Sequence, residues 1–341
     1  MNRYRFTGIA ATIVAATFML ADSAFCAPGG VGFSAPIALS RPGQIPIAFV
    51  TNNASDYWLI AEAGANQAQK ELGHKFQVNF AMPSDGSVAV QEATVNQYIE
   101  QGIKAIAISP VDAKKQNAWL NSICHKVKLI TQDSDAPQSA RLAYIGTDNH
   151  AAGVLAGDCI KRALPNGGKI ELFVGNRVAQ NSRDREQGIR DALKGSSVQI
   201  LDVVTDQTDV GLAKKNASDA MTAHPDLSME VGLYSYNGPA ILEAVQEARN
   251  VGKVKIVCFD QEKATLAGIH QGAIAATIVQ QPYKFGFKGT LLIAQLAIGN
   301  MAALPKNGFY YFPAVAVTPG NVGKYIAELN KETGKSWGST N

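Results

Sequence analysis

The chain has no concentration of charge of either sign. Its 31 Lys and Arg stand against 28 Asp and Glu, a formal net charge of +3 over 341 residues. No basic run exceeds two residues. A surface that neutralises a nucleic-acid backbone needs more, so no nucleic-acid partner is expected. Cysteine is scarce: Cys26, Cys124, Cys159 and Cys258 are the four present. Their spacing is neither a metal motif nor a disulfide framework. His74, His125, His150, His224 and His270 form no HxxxH or HExxH pattern. No GxSxG, no GxxxxGK(S/T) and no GxGxxG after a strand occurs. No catalytic constellation emerges, and neither a metal nor a cofactor is expected. Carboxylates such as Asp133 and Asp135 suit acid–base work or hydroxyl recognition alike.

Long apolar runs are also missing, with one exception. Asn2-Arg3-Tyr4-Arg5 is basic, residues 9–21 are apolar, and small residues follow at Ala24 and Ala27. This is the pattern of a secretory signal peptide, and the run is shorter than the roughly 20 residues that span a bilayer. Residues 1–26 are assigned to it, with cleavage between Ala24 and Ala27. Cys26 does not fit a lipidation site, because Phe25 precedes it where a small residue is expected. The mature chain is expected to be exported to the periplasm and soluble there. In that oxidising compartment a Cys124–Cys159 disulfide is one option. Cys258 sits in an apolar run and reads as a buried thiol.

Apolar content is 46% and charged content 17%, which suits a packed globular protein. Residues 27–44 are rich in Gly, Pro and Ser and read as a flexible leader. Short apolar runs then recur at 45–50, 76–82, 103–109, 127–132, 142–146, 169–174, 198–204, 229–234, 254–259 and 274–279. Stretches with helical spacing separate most of them, as at Leu59, Ala63, Ala68 and Leu72 before Gly73. Strands alternating with helices predict βαβ units and parallel sheets buried on both faces. So many strands exceed one sheet of ordinary size. Two domains fit better, with a break near Gly146-Thr147-Asp148-Asn149. The C-terminal end closes less neatly: a long apolar helix over 285–298, then a Pro/aromatic segment over 304–317.

Polar residues repeatedly close the apolar runs: Thr51-Asn52-Asn53, Ser109, Gln132-Asp133-Ser134-Asp135, Thr147-Asp148-Asn149, Tyr236-Asn237, Asp260-Gln261 and Gln280-Gln281. Helix capping explains any one of them. It does not explain the series, because Gln is a poor N-cap. In open α/β sheets ligands bind at the carboxyl ends of strands. Asp, Asn, Gln and Arg suit a ligand with many hydroxyls. Tyr57, Trp58, Tyr236 and Phe259 offer apolar faces of the kind a sugar ring needs. Arg183 and Arg185 stand near a helix start, where the dipole disfavours them, so another partner is expected.

Motifs in the same order resemble the periplasmic sugar-binding proteins of the ribose/galactose type. They are Ala48-Phe49-Val50-Thr51-Asn52, Gly64, Gly102-Ile103-Lys104-Ala105-Ile106, Ser109-Pro110, Ile130-Thr131-Gln132-Asp133-Ser134 and Ile145-Gly146-Thr147-Asp148-Asn149 with Gly153. Further along come Arg183-Asp184-Arg185 with Gly188, Thr222-Ala223-His224-Pro225-Asp226, Val257-Cys258-Phe259-Asp260 and Ala276-Thr277-Ile278-Val279-Gln280-Gln281-Pro282. The resemblance covers about 45–317. It implies an α/β fold of two doubly wound parallel-sheet lobes joined by a three-crossing hinge, the periplasmic binding protein type 1 fold. The lobes are then 45–147 plus 279–306, and 148–278 plus 307–341. It also implies a monomer that closes on its ligand and is recognised by the permease subunits of an ABC transporter.

By position, the resemblance implies ligand contacts at Asn52, Ser55, Tyr57, Trp58, Ser109, Asp133, Ser134 and Thr147 in the first lobe and hinge. In the second lobe and hinge it implies Arg185, Thr208, Asn237, Asp260 and Gln280. The chain departs from ribose binders in carrying Ser109 for Asn, Ser134 for Arg, Thr208 for an aromatic residue, and Tyr57-Trp58 for paired phenylalanines. These departures change both the hydrogen bonds and the shape of the pocket. They argue for a monosaccharide or related polyol without naming ribose. Three other readings share the fold: a sensor presenting sugar or a furanosyl signal to a chemoreceptor or sensor kinase, a transcription repressor and an enzyme. The repressor needs a helix-turn-helix where this chain has its signal peptide and leader. The enzyme would return its bound sugar chemically altered.

Overall fold

The computed structural model describes residues 42–83 and 85–338. The expected signal peptide, Cys26 and most of the expected leader lie outside the described residues. Among the described residues no helix is long and apolar enough to cross a membrane.

All ten apolar runs form strands. In the first half these are β1 (Ile45–Val50), β2 (Phe76–Ala81), β3 (Ala105–Ile108), β4 (Lys128–Gln132) and β5 (Tyr144–Gly146). Helices α1 (Asp56–Leu72), α2 (Val88–Glu100) and α3 (Ala113–Cys124) connect the first four. In the second half β6 (Gly168–Val174), β7 (Val198–Thr205), β8 (Leu227–Gly232), β9 (Lys255–Phe259) and β10 (Ala276–Val279) alternate with α5 (Gln180–Leu193), α6 (Val210–Ala223), α7 (Asn237–Glu247) and α8 (Lys263–His270). Helix α4 (Asn149–Ala163) leads into that half, and α9 (Pro282–Ala297) leaves it.

Two more strands come from the Pro/aromatic segment, which has no apolar run of its own: β11 (Phe309–Tyr311) and β12 (Val315–Val317). They complete two six-stranded sheets, ordered β11-β5-β4-β3-β1-β2 and β12-β10-β9-β8-β6-β7. Each sheet reverses its strand order beside the strand that begins it, β1 or β6. That crevice is where ligands bind in doubly wound folds. Strand β11 pairs parallel with β5, Phe309 opposite Tyr144. Strand β12 pairs antiparallel with β10, Thr277 opposite Val317. The last crossing between sheets therefore falls between Tyr311 and Val315. The lobe boundary expected at 306/307 comes before β11, whose backbone bonds are to the first sheet. Helix α10 (Val322–Thr333) ends the fold.

The strands are buried on both faces, as near-continuous apolar runs require; Ile47 to Val50 are 0% exposed. Phe285, Ile293 and Leu296 of α9 pack on Ile47, Phe49 and Ile145 in the first lobe. Val322, Ile326 and Leu329 of α10 pack with Ile241, Ile256 and Leu266 in the second. Cys124 and Cys159 are free thiols, so no disulfide joins them. One ends α3 on the first lobe, the other lies within α4 on the second. Cys258 is fully buried, as read from its apolar run, and free.

Each lobe holds one helix pair at backbone contact. A Cβ at Gly286 would lie 1.8 Å from the Ala61 carbonyl oxygen, and one at Gly64 would lie 2.0 Å from that of Tyr283. This joins α1 to α9. In the second lobe a Cβ at Gly153 would lie 2.3 Å from the Arg185 carbonyl oxygen, so α4 fixes the height of α5. Gly286→Ala should therefore force α9 off α1 and cost about 1–3 kcal/mol. Urea unfolding measures this, and an unchanged midpoint would refute backbone contact at that point.

Candidate functional site

The polar strand ends converge on one cavity between the lobes. About 360 Å³ of space is free of protein atoms there, part of it open to solvent. From the first lobe, Asn52, Asn53, Ser55, Tyr57, Trp58 and Asp133 line it. From the second, Asn181, Arg185, Tyr234, Ser235, Tyr236, Asp260 and Gln280 do so.

The turn after β1 supplies one wall. Its backbone is fixed from behind by Gln91, fully buried, whose Nε2 donates to the carbonyls of Thr51 (2.9 Å) and Ser109 (2.7 Å). Ser55 stands at the N-cap of α1, but its side chain makes no capping bond. The Tyr57 and Trp58 rings meet edge to face, 4.9 Å apart. Both are buried, at 6% and 1% exposure. Trp58 Nε1 donates to Asn52 Oδ1 at 3.2 Å, which orients that amide.

The two aspartates occupy matching positions. Asp133 follows β4 and Asp260 follows β9, each with a left-handed backbone (φ 58° and 67°). The Asp133 amide donates to the carbonyl of Ile145 on β5, and the Asp260 amide to that of Ile278 on β10. Aspartate tolerates this conformation better than most residues. The kink lets the next bond of each ladder form. Asp133 accepts from the Tyr57 hydroxyl (Oδ1, 2.9 Å) and from Ser109 Oγ (Oδ2, 3.1 Å). Asp260 Oδ1 accepts from Gln280 Nε2 at 3.1 Å.

Arg185 lines the same cavity, 2% exposed, and its charge acts on both carboxyl groups. Its Nε donates to Asn149 Oδ1 (2.9 Å) and its Nη1 to the Leu233 carbonyl (2.7 Å). The guanidinium lies 4.6 Å from the centre of the Phe259 ring. These are the partners that the unfavourable helix position called for. Three buried polar atoms of lining residues have none: Arg185 Nη2, Gln280 Oε1 and Asn53 Oδ1. Buried polar groups are seldom left unpaired. One donor and two acceptors among the lining residues match the hydroxyls of a small ligand.

Burial raises both carboxyl groups. Asp260 is pushed up to about 6, with Arg185 and Gln280 opposing and Asp133 adding to the rise. Asp133 is raised by burial against Arg185, Tyr57 and Ser109. Burial, then Asp133 and Asp260, hold the Tyr57 hydroxyl well above its ordinary value, so it remains a donor. Burial pushes the Tyr234 hydroxyl up to about 12. Two carboxyl groups facing one guanidinium favour an uncharged polyhydroxyl ligand over an anionic one.

Not every residue expected at the site lines it. Asn52, Ser55, Tyr57, Trp58, Asp133, Arg185, Asp260 and Gln280 do. Ser109 is behind Asp133 and holds its carboxylate. Ser134 is fully buried, with its amide donating to Ser109 Oγ. Thr147 lines a different cavity on the hinge side. Thr208 lines the outer cleft, its hydroxyl bonded to the Gln207 carbonyl. Asn237 is spent on the loop before it: Oδ1 accepts from the Tyr234 amide and Nδ2 donates to Asp206. Phe259 is core, under Arg185. Asn53, Asn181 and Tyr236 lay in stretches already singled out. Tyr234 closes the apolar run 229–234 and Ser235 follows it, so both obey the same strand-end rule.

A family description of periplasmic binding protein domains matches residues 47–301. The D-ribose/D-allose-binding protein of Pseudomonas aeruginosa is 24% identical over 286 residues, covering 81% of this chain and 90% of that protein. The ribose import binding protein RbsB of Escherichia coli is 26% identical over 263 residues, 76% of this chain and 87% of its own length. A carbohydrate transporter solute binding protein from Agrobacterium radiobacter, solved in complex with D-arabinose, superposes with a TM-score of 0.78 at 24% identity. It covers 85% of this chain and 99% of its own, and shows the same fold.

The Asp260 carboxyl sets a pH dependence in the ligand-free protein. An unfolded aspartate loses its proton near pH 4, the folded Asp260 only near about 6. Between these values the unfolded chain binds fewer protons, so stability falls as pH rises. Above about 6 both states are ionised and this contribution is flat. At 1.36 kcal/mol per unit the fall is on the order of 3 kcal/mol. Urea unfolding from pH 4 to 7 should show wild type losing this much relative to Asp260→Asn, and parallel profiles would remove Asp260 as the cause.

Proposed function

The chain belongs to the periplasmic binding protein domain family, and from that membership we propose that it captures a monosaccharide or related polyol between its lobes and delivers it to the permease subunits of an ABC transporter. The observation that carries the reading is Arg185. It lines the cavity together with Asp133 and Asp260, is 2% exposed, and its Nη2 is buried without a partner. Relatives named for ribose and allose support a sugar. Ser134 and the Tyr57-Trp58 pair still argue against taking ribose itself as given.

In this reading Asp133, Asp260, Gln280, Asn52, Asn53 and Asn181 exchange hydrogen bonds with ring hydroxyls. Arg185 Nη2 donates to one or two of them. Tyr57, Trp58, Tyr234 and Tyr236 cover the apolar faces of the ring. Ser55 keeps its hydroxyl off the helix cap and available to the ligand. The lobes are 45–147 with α9 and β11, and 148–279 with β12 and α10.

Trp58, Arg185 and Asp260 are each 3% exposed or less, so a ligand reaches them only when the lobes part. Asn176 Nδ2 donates to the Val111 carbonyl at 3.3 Å, bridging the mouth of the cleft. Opening breaks this bond and closure restores it, a hinge motion that ligand biases toward the closed form. The closed monomer then presents a surface that the open form lacks, which a permease recognises. Export through a cleaved signal peptide puts this cycle in the periplasm.

A thermal-shift screen over pentoses, hexoses and polyols identifies the ligand. Binding stabilises by RT ln(1 + [L]/Kd), about 2.7 kcal/mol at 100 Kd. Asp260→Ala should bind that ligand at least tenfold more weakly by calorimetry while keeping its fold; near-native affinity would refute the site assignment. Deletion of the gene should abolish high-affinity uptake of the same sugar. Unchanged uptake with lost taxis would replace transport by the sensor reading.

A further inference from the structure

Beside the central cavity lies a second space between the lobes, with about 680 Å³ free of protein atoms, part of it open to solvent. Asn52, Asn53 and Tyr234 line both spaces, so the two adjoin. The lobes meet at two points in the lining of the outer one. Asn176 and Val111, which both line it, are joined by a hydrogen bond of 3.3 Å. Gly86 and Thr208 line it too, and a Cβ at Gly86 would lie 3.9 Å from Thr208 Oγ1. The space therefore exists where the lobes are already in contact. It is not a gap left by lobes standing apart.

Its lining differs from that of the central cavity. No Lys, Arg, His, Asp or Glu takes part, so a charged group placed here would lose water without gaining a counter-ion. The lining offers the Tyr234 ring and several amides instead. Among the described residues the Gln207 amide and Asn52 Nδ2 have no protein partner, and Asn53 Oδ1 is unpaired as well. Gln207 and Thr208 hold left-handed backbones, φ 55° and 67°. Such strain persists only where its surroundings hold it, and it collects at ligand clamps. Asp206, 1% exposed, holds this turn: its Oδ1 accepts from the Thr208 amide at 2.9 Å. The same carboxylate accepts from the Tyr236 hydroxyl at 2.6 Å and from Asn237 Nδ2 at 2.8 Å. Tyr236 lines the central cavity, so one buried carboxylate sets the inner wall and the outer turn together.

We propose that the ligand is a neutral disaccharide, with one ring in the central cavity and the second in the outer space against Tyr234 and the amides of Asn52, Asn53 and Gln207. A sugar ring brings hydroxyls for the amides and C–H faces for the tyrosine, and needs no charge opposite it. The bond between the rings passes the residues that line both spaces. The proposal rests on the sugar reading and names its ligand more narrowly.

Calorimetric titration of the full-length protein with maltose, cellobiose, lactose, melibiose, trehalose and xylobiose, each against its component monosaccharides, tests it. At least one disaccharide is expected to bind about tenfold more tightly than either of its components. Val111→Trp fills the outer space and keeps the carbonyl that Asn176 bonds; Gln207→Ala removes the free amide. Each should weaken that disaccharide about tenfold and leave the better-binding component within about threefold of wild type. Monosaccharides that bind as tightly as every disaccharide overturn the proposal and leave the sugar reading standing. No binding by any of these sugars overturns both. Disaccharide affinity unchanged in either variant, or lost together with that of the component sugar, also overturns the proposal, with both variants checked for wild-type thermal unfolding.

Discussion

A guanidinium held out of water beside two carboxyl groups constrains much of the rest of this molecule. An isolated buried charge is costly, and a buried ion cluster persists only when its hydrogen bonds are satisfied. Arg185 is held from three directions, with Nη2 left unpaired. Asn149 at the start of α4 accepts from Nε, the Leu233 carbonyl after β8 accepts from Nη1, and Phe259 at the end of β9 lies beneath the plane. Asn149 Nδ2 in turn donates toward the carbonyls of Asp133 and Thr147. The side chain that faces the cavity is thus tied through one amide to the first crossing between lobes. Close contact of α4 with α5 at Gly153 sets its height.

The aspartates show how one local device serves both lobes. Each ends the fourth strand of its lobe in a left-handed residue, and each amide bonds to the neighbouring strand. The two sheets have the same strand order, so the carboxyl groups arrive at the cleft from opposite sides. The strain at each position is on the order of 1–2 kcal/mol. Ladder bonds and side-chain donors hold it in place: Tyr57 and Ser109 for Asp133, Gln280 for Asp260. Ser109 and Asn237 contribute most from behind the site, by fixing groups that face it.

The ten central strands were legible because burial on both faces leaves an uninterrupted apolar run. Strands β11 and β12 were not, because neither has that signature. Tyr310, Tyr311 and Val315 are exposed, each strand has three residues, and each is defined by a partner far away in sequence. Strand-end polarity located the cavity but could not say which polar side chains turn into it. Asn237 and Thr208 have the right chemistry in nearly the right place. Asn237 is consumed by Asp206 and the Tyr234 amide, and Thr208 by its neighbour's carbonyl. Direction depends on backbone torsion, as at Asp133 and Asp260, and composition does not carry that.

The unpartnered atoms explain why closure should follow the ligand. Arg185 Nη2, Gln280 Oε1 and Asn53 Oδ1 are buried without a protein partner. Losing water without gaining a partner costs about 1–3 kcal/mol per group. Three such losses would disfavour a closed form by several kcal/mol, against which an interlobe bond such as Asn176–Val111 would return only about 1. A ligand whose hydroxyls meet all three removes the cost in the closed form and not in the open one, where water already satisfies them. A preference of about 5.5 kcal/mol is enough to reverse a 1:99 equilibrium. The polar atoms that would select the ligand are therefore also those that would couple its binding to the hinge. A sugar lacking one hydroxyl would then both bind more weakly and close the lobes less completely.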